Sequence, residues 1–224
     1  MSTILLTGFE PYGDTPINPA ERVARALHGR LIDEARVESR IVPNSFFVCI
    51  DVVREAIAEL HPDVVVMLGE YPGRSMVTVE RIAQNLNDGT RYGLLDNAGR
   101  AMQGEMTVPD GPAAYYSTLP IRAMVKAMRA AGVPADISDS AGTFCCNHLM
   151  YGVLHHLSLP VEGTKIRAGW IHLPQLPEVA ARPENLGVPS MSGETAATGV
   201  EAALAAIRRN PADIDEPSIS RLLL

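Results

Sequence analysis

Short apolar runs alternate along this chain with longer stretches in which apolar residues recur every three or four positions. Ser2–Thr7 is such a run, stopped by Gly8, and reads as a buried parallel strand. Phe9–Pro19 holds Pro11, Gly13, Pro16 and Pro19 and reads as a loop, after which Ala20–Leu27 takes up helical periodicity. Arg36–Val42 alternates as a second strand, and Phe46–Leu60 reads as a helix that stops before Pro62. Asp63–Leu68 (DVVVML), closed by Gly69, is the clearest buried strand, and Met76–Ile82 forms another. Leu119–Ala131 is a helix closed by Gly132 and Pro134, and Ala135–Asp139 a weaker strand. The small residues Ser140 to Thr143 turn into a helix from about Cys145 to His156. Ile166–His172 is a further strand, and Gly193–Arg209 an Ala-rich final helix.

Two stretches break this rhythm. Asn85–Pro112 is rich in Gly, Asn and Asp and poor in apolar periodicity, so it is expected to lack regular structure and to act as a mobile lid. The last fifteen residues, 210–224, read as a loosely held tail. Elsewhere, strands alternating with helices predict one α/β domain over residues 1–224, with a mainly parallel twisted sheet covered on both faces. Sites in such sheets form at the carboxyl ends of strands, so the loops after Leu68, Asp139 and His172 are where chemistry is expected.

Composition narrows the function. The 224 residues are 46% hydrophobic and 20% charged, and the net charge is −7 with no basic block. A phosphate-binding face needs clustered cations, so nucleic acid is excluded as a partner. The three cysteines give no paired framework, which points to a reducing compartment. No basic leader opens the chain, and no apolar stretch nears the roughly 20 residues that span a bilayer. A cytoplasmic protein without a membrane segment is the expectation.

One segment carries candidate chemistry. Ser138–His148 reads SDSAGTFCCNH, in which Cys146 falls in the first turn of a helix. Unpaired N–H groups and the helix dipole favour a thiolate there, and thiol pKa values at such positions fall to about 3.5–7.5. The plainer alternative is that Cys145 and Cys146 fill space at a buried helix start. Neighbouring helical residues point about 100° apart, so one of the two faces the cleft. His148 lies on the far side of the helix and reads as structural, capped by a backbone carbonyl. Adjacent residues cannot present tetrahedral ligands, so no zinc site is expected from Cys145, Cys146 and His148. His155 and His156 read as partners of the helix dipole. His172 ends a strand and stands at the site edge as a candidate base. Glu80 sits inside the apolar run VTVERIA, where a carboxylate needs a partner. His172 is one such partner; Arg81 or another arginine on an exposed face is the other.

These segments resemble pyroglutamyl peptidase type I, also called pyrrolidone-carboxylate peptidase. The similarity rests on LLTGFEPYG with NPA (Leu5–Gly13, Asn18–Ala20), VERIAQN (Val79–Asn85), DNAG (Asp96–Gly99), SAGTFCCNHLMYG (Ser140–Gly152) and GWIHLPQLPE (Gly169–Glu178). The resemblance implies an α/β/α sandwich assembled as a homotetramer, with no metal or cofactor. It implies a cysteine peptidase that removes N-terminal pyroglutamate from peptides, with Cys146 as nucleophile, His172 as base and Glu80 as third member. Phe144 is implied as a pocket residue, with Phe9 and Tyr12 as further walls, Asn18 in the pocket and the Glu70 loop as its polar rim. Arg91 is placed where it polarises the scissile carbonyl. The chain departs from the family at Gly69-Glu70-Tyr71-Pro72-Gly73-Arg74, where Gly-Gln/Leu-Ala-Gly-Gly-Arg is common. It also has Tyr12 for phenylalanine and Cys145 for valine.

Pyroglutamate has no free α-amine, so its recognition falls to aromatic walls and to partners for one ring N–H and one ring C=O. Backbone groups of the Glu70 loop, stiffened by Pro72, are the expected partners. Two rivals remain: a binding protein of the same fold that has lost turnover, and a nucleoside phosphorylase-like enzyme. The latter needs phosphate-binding arginines and gives Cys146 no role.

Overall fold

In the computed structural model, which describes residues 2–159 and 165–220, the expected runs become strands with ends displaced by a residue or two. In chain order the elements are β1 (Ser2–Phe9), α1 (Pro19–Leu27), β2 (Leu31–Ile32), β3 (Ala35–Val42), α2 (Val48–Leu60) and β4 (Val64–Glu70). Then come β5 (Val77–Glu80), β6 (Ile82–Gln84), β7 (Asn87–Asp88), β8 (Gln103–Glu105), β9 (Ala114–Tyr116), α3 (Ile121–Ala130) and β10 (Ala135–Ser138). The chain closes with α4 (Cys145–Ser158), β11 (Arg167–Leu173), α5 (Pro177–Ala180) and α6 (Gly193–Arg209). Met76–Ile82 is the exception to the expected runs, since it breaks at Arg81 into β5 and β6.

Among the described residues the central sheet has seven strands in the order β10-β5-β11-β4-β1-β3-β2. β1 runs parallel to β3 and β4, β4 to β11, and β5 to β10. β5 is antiparallel to β11, and the two-residue β2 is antiparallel to β3. Residues 71–76 are too short a link for a crossover, which needs a dozen residues or more, so β5 runs opposite to β4 and to its neighbour β11. The α/β architecture is thus mixed but mainly parallel. Alternate residues of each strand feed two cores. Ile4, Leu6, Val64, Val66 and Val79 pack with α1, α3 and α6, while Leu5, Val65, Met67 and Trp170 pack with α2 and α4. No described helix is long and apolar enough to cross a membrane.

The Asn-rich stretch differs from its expectation. It contains the β7–β8 pair and a 3-10 turn at Thr90–Tyr92, and hydrogen bonds hold it together with the buried Met102. Asn85 accepts from the N–H groups of Thr107 and Val108 and donates to the Val108 carbonyl. Asn147 of α4 donates to the carbonyls of Gln84 and Leu86 and accepts from the Gln84 N–H. Asp96 accepts from the N–H groups of Phe46, Ala98 and Arg100. Amide and carboxylate side chains here supply the partners that buried loop backbone requires. Residues 210–220 have no regular element, yet Asp213 accepts from the N–H groups of Arg122 and Ala123 at the start of α3. Arg129 donates to the Ile219 carbonyl, and residues 221–224 of the expected tail lie outside the described set.

Candidate active site

The turn at 140–143, with Gly142 at φ +81°, delivers Cys146 into the first turn of α4. Cys145 is fully buried on the side of α2, whereas Cys146 is partly open to a cavity of about 410 Å³ that His172 also lines. The pleat brings a carboxylate to the same place. Trp170 lies opposite Glu80 and His172 opposite Thr78 in the antiparallel pair, so all four side chains share the face covered by α4. His172 Nδ1 lies 2.8 Å from Glu80 Oε1, and both residues are buried.

That contact fixes the tautomer. Burial pulls the imidazole below its ordinary range although the Glu80 carboxylate partly opposes this, so the ring is neutral. Burial likewise works against charge on Glu80, but His172 and Arg74 outweigh it and hold the carboxyl below its usual range. A neutral imidazole beside a carboxylate carries its proton on Nδ1 and leaves Nε2 as a base. Nε2 is buried and has no hydrogen-bond partner.

The thiol stands close by. In the β4–β11 register His172 lies beside Gly69, and a Cβ added at Gly69 would fall 2.9 Å from Cys146 Sγ and 2.5 Å from Trp170 Cζ2. The sulfur therefore sits over the bare strand position next to the base. Gly69→Ala is expected to displace Cys146 or Trp170 and to lower turnover by at least roughly tenfold, as misplaced reacting groups do. Steady-state kinetics on the folded variant checks this; an unchanged turnover number would show that the sulfur does not depend on that gap.

One expectation is reversed. Burial, together with the negative neighbours Glu80 and Glu70, pushes the Cys146 thiol up, and Arg74 and the local N–H only partly oppose it. The resting pair is a thiol and a neutral imidazole, not a preformed thiolate.

Arg74 was not among the expected site residues. Its Nη1 donates to Glu80 Oε1 at 2.7 Å and contacts the Thr78 hydroxyl, while its Nη2 donates to Ser138 Oγ at 3.2 Å. Its guanidinium lies 3.8 Å over the Tyr71 ring. Glu80 thus has both partners weighed from its sequence, a histidine and an arginine, but the arginine is Arg74 and the pair is buried. Arg81 instead pairs with Asp139 on the surface. The spacing of Arg74 from Glu80 gave no signal because the short β4–β5 link folds the loop back over β5.

The substrate-side residues divide. Tyr12, Glu70 and Phe144 line the cavity, and Tyr71 and Tyr92 line it with them. Phe9 does not; it packs behind, its ring centroid 5.7 Å from that of Trp170. Asn18 is a capping residue, its Oδ1 accepting from Ala20 N–H at 2.9 Å and its Nδ2 donating to the Glu10 carbonyl. Arg91 is exposed, with its guanidinium by the Tyr92 ring and outside the cavity lining. The 3-10 turn points Tyr92 inward in its place.

The remaining histidines have other tasks. His148 accepts from the Phe47 N–H at Nε2, not from a carbonyl partner, and its Nδ1 lies 3.1 Å from the Thr107 hydroxyl. Burial drives its pKa down to about 3, so it is a neutral tie between α4, the start of α2 and the Asn-rich segment. Tyr115 contacts His155 Nδ1 at 2.9 Å. Burial pushes the His156 imidazole down, which disfavours the cation expected at the helix end.

A helix-start thiol beside a histidine–carboxylate pair, at one end of a mainly parallel sheet, is an arrangement suited to a cysteine-type hydrolase. The family model for pyroglutamyl peptidase matches residues 2–210, and this chain belongs to the pyroglutamyl peptidase family. It is 64% identical over 222 residues to a pyrrolidone-carboxylate peptidase of Mycobacterium tuberculosis, covering 99% of each chain. It is 46% identical over 216 residues to one of Cupriavidus taiwanensis, covering 96% of this chain and 97% of that one. The fold matches the crystal structure of pyroglutamyl peptidase I from Bacillus amyloliquefaciens with a TM-score of 0.90 at 35% identity, covering 96% and 99%. A pyrrolidone carboxyl peptidase mutant from Pyrococcus furiosus matches with a TM-score of 0.86 at 38% identity, covering 92% and 98%.

Proposed function

We propose that this cysteine peptidase hydrolyses the amide bond after an N-terminal pyroglutamyl residue, with Cys146 as nucleophile, His172 as base and Glu80 as orienter. The observation that carries the reading is the buried, unpartnered Nε2 of His172, anchored at Nδ1 and carried on the strand beside Gly69, whose bare Cα the sulfur approaches.

Because the resting sulfur is a thiol, proton transfer accompanies attack. As Cys146 Sγ bonds to the carbonyl carbon, its proton passes to Nε2, and Glu80 stabilises the imidazolium that forms. The oxyanion rests on the Cys146 N–H, which in a first helical turn has no intrahelical partner. Nε2 then protonates the departing amine, the C–N bond breaks and a thioester remains. Water gives a proton to Nε2 as its oxygen attacks the thioester. Collapse releases pyroglutamic acid, and the sulfur recovers its proton from the imidazolium.

The ring enters between Tyr12, Tyr71, Tyr92 and Phe144, whose faces suit a flat lactam. A homotetramer in the cytoplasm belongs to the same proposal. The exposed Leu95, Met106 and Tyr116 near the Asn-rich segment support contact between subunits.

Release of chromophore from a pyroglutamyl chromogenic amide tests the function, with alanyl and prolyl amides as controls. Cleavage confined to the pyroglutamyl substrate and lost after thiol alkylation is expected. Binding of pyroglutamyl peptides without turnover would favour the impaired binding protein instead.

A further inference from the structure

Asn44, Glu70 and Gln175 line the cavity with a buried polar atom that has no hydrogen-bond partner and no part in the mechanism, and of the three Glu70 is the one that can change charge. It closes β4 and is buried, yet Oε1 has no hydrogen-bond partner. Tyr12 stands near the same carboxyl, and both residues line the cavity with Cys146 and His172. The backbone groups expected to read the lactam are largely spoken for. Tyr71 N–H donates to the Leu173 carbonyl at 2.9 Å, Tyr71 C=O accepts from Arg74 N–H, and Pro72 has no N–H.

We propose that Glu70 is a specificity residue that binds the pyroglutamyl ring as a neutral carboxylic acid. This rests on the reading of the cavity as a lactam pocket. A lactam presents a cis N–H and C=O side by side. A protonated carboxyl presents the complement, an O–H that donates to the ring C=O and an oxygen that accepts from the ring N–H. The ionised carboxylate offers acceptors alone, so it keeps one contact and repels the ring carbonyl. A glutamine amide has the same donor and acceptor pair, which explains how glutamate and glutamine serve at one position.

The surroundings favour the neutral form. Burial raises the Glu70 carboxyl to about 7, and the Tyr12 hydroxyl opposes this only in part. The other titratable groups facing the cavity are Tyr12, Cys146 and His172, with Tyr71 and Tyr92 on its walls and Asp14 at the exposed rim. Burial carries Tyr12 and Cys146 upward and His172 downward, away from neutrality. Arg74, which follows in the same loop, is engaged by Glu80. Burial thus brings the Glu70 carboxyl into the neutral range.

The bare lactam 2-pyrrolidone, uncharged over that range, is the probe. Its competitive inhibition constant against pyroglutamyl amide hydrolysis is expected to rise roughly thirtyfold from pH 6 to pH 8.5, as the binding form is depleted. Calorimetry at pH 8 in two buffers is expected to show uptake of about one proton per site. Glu70→Gln should remove the pH dependence, while Glu70→Met, with neither donor nor acceptor, should raise the constant roughly tenfold or more at pH 6. A constant flat with pH in the natural chain, no proton uptake, or a Glu70→Gln variant that keeps the rise would overturn the proposal. The first two measurements decide it even where a variant does not fold. Absence of pyroglutamyl amide cleavage would instead overturn the assigned function, so the two failures are distinguishable.

Discussion

Cys146→Ser is expected to lower the turnover of a pyroglutamyl amide by at least roughly a thousandfold, because removing one member of an interdependent catalytic set removes most of what the set achieves. A serine hydroxyl in the same place is far less acidic than the thiol, and the neutral His172 imidazole is too weak a base to compensate. Cys145→Ser and Cys49→Ser are the informative controls. Both thiols are buried in the α2–α4 core, away from the cavity. Burying a hydroxyl in an apolar site costs about 1–3 kcal/mol, so these variants should unfold earlier in urea. Activity per folded molecule should stay near that of the natural chain. Full activity in Cys146→Ser would remove the nucleophile from the proposed mechanism.

Glu80→Gln is expected to reduce the turnover number roughly a hundredfold, equivalent to about 2.7 kcal/mol, with a small change in KM. Oε1 of Glu80 accepts from both His172 Nδ1 and Arg74 Nη1, so an amide oxygen in the same position can keep those contacts. What it cannot keep is the negative charge. The half-buried Arg74 cation would then stand uncompensated near an imidazole that must itself become positive as the thiol proton arrives. The base weakens, and the step that uses it slows. His172 already titrates below the usual imidazole range, so activity falls on the acid side only once the pH drops through that lowered value. In the variant this acid limb should shift further down. An unchanged turnover number with an unchanged acid limb would show that Glu80 only holds the sheet together.

Much of this was legible in the chain itself. β4 is a run of valines closed by Gly69 and Glu70, and such runs fit only a strand buried on both faces. The final helix spans Gly193–Arg209 as its alanine-rich periodicity requires. Small residues before Cys145-Cys146 specify a tight strand-to-helix turn, and a carboxylate within an apolar run demands a partner. Those are local constraints, and local sequence expresses them.

Tertiary structure decided the rest. Whether the thiol is acidified depends on a balance between helix-start N–H groups, which are local, and burial beside Glu80 and Glu70, which is not. The reversal of β5 brings Glu80 and Arg74 together, a pairing that follows from strand order and not from spacing. Asn18 and Arg91 carry polar groups suited to a pocket, yet Asn18 caps α1 and Arg91 faces outward, since direction along a turn is set by what packs behind it. The Asn-rich segment lacks apolar periodicity because amides bond its backbone, and those bonds join residues up to 63 apart in the chain. Sequence by itself fixes which groups need partners; which partner each one meets is a property of the folded sheet, because burial and hydrogen bonding are decided by contacts between distant residues.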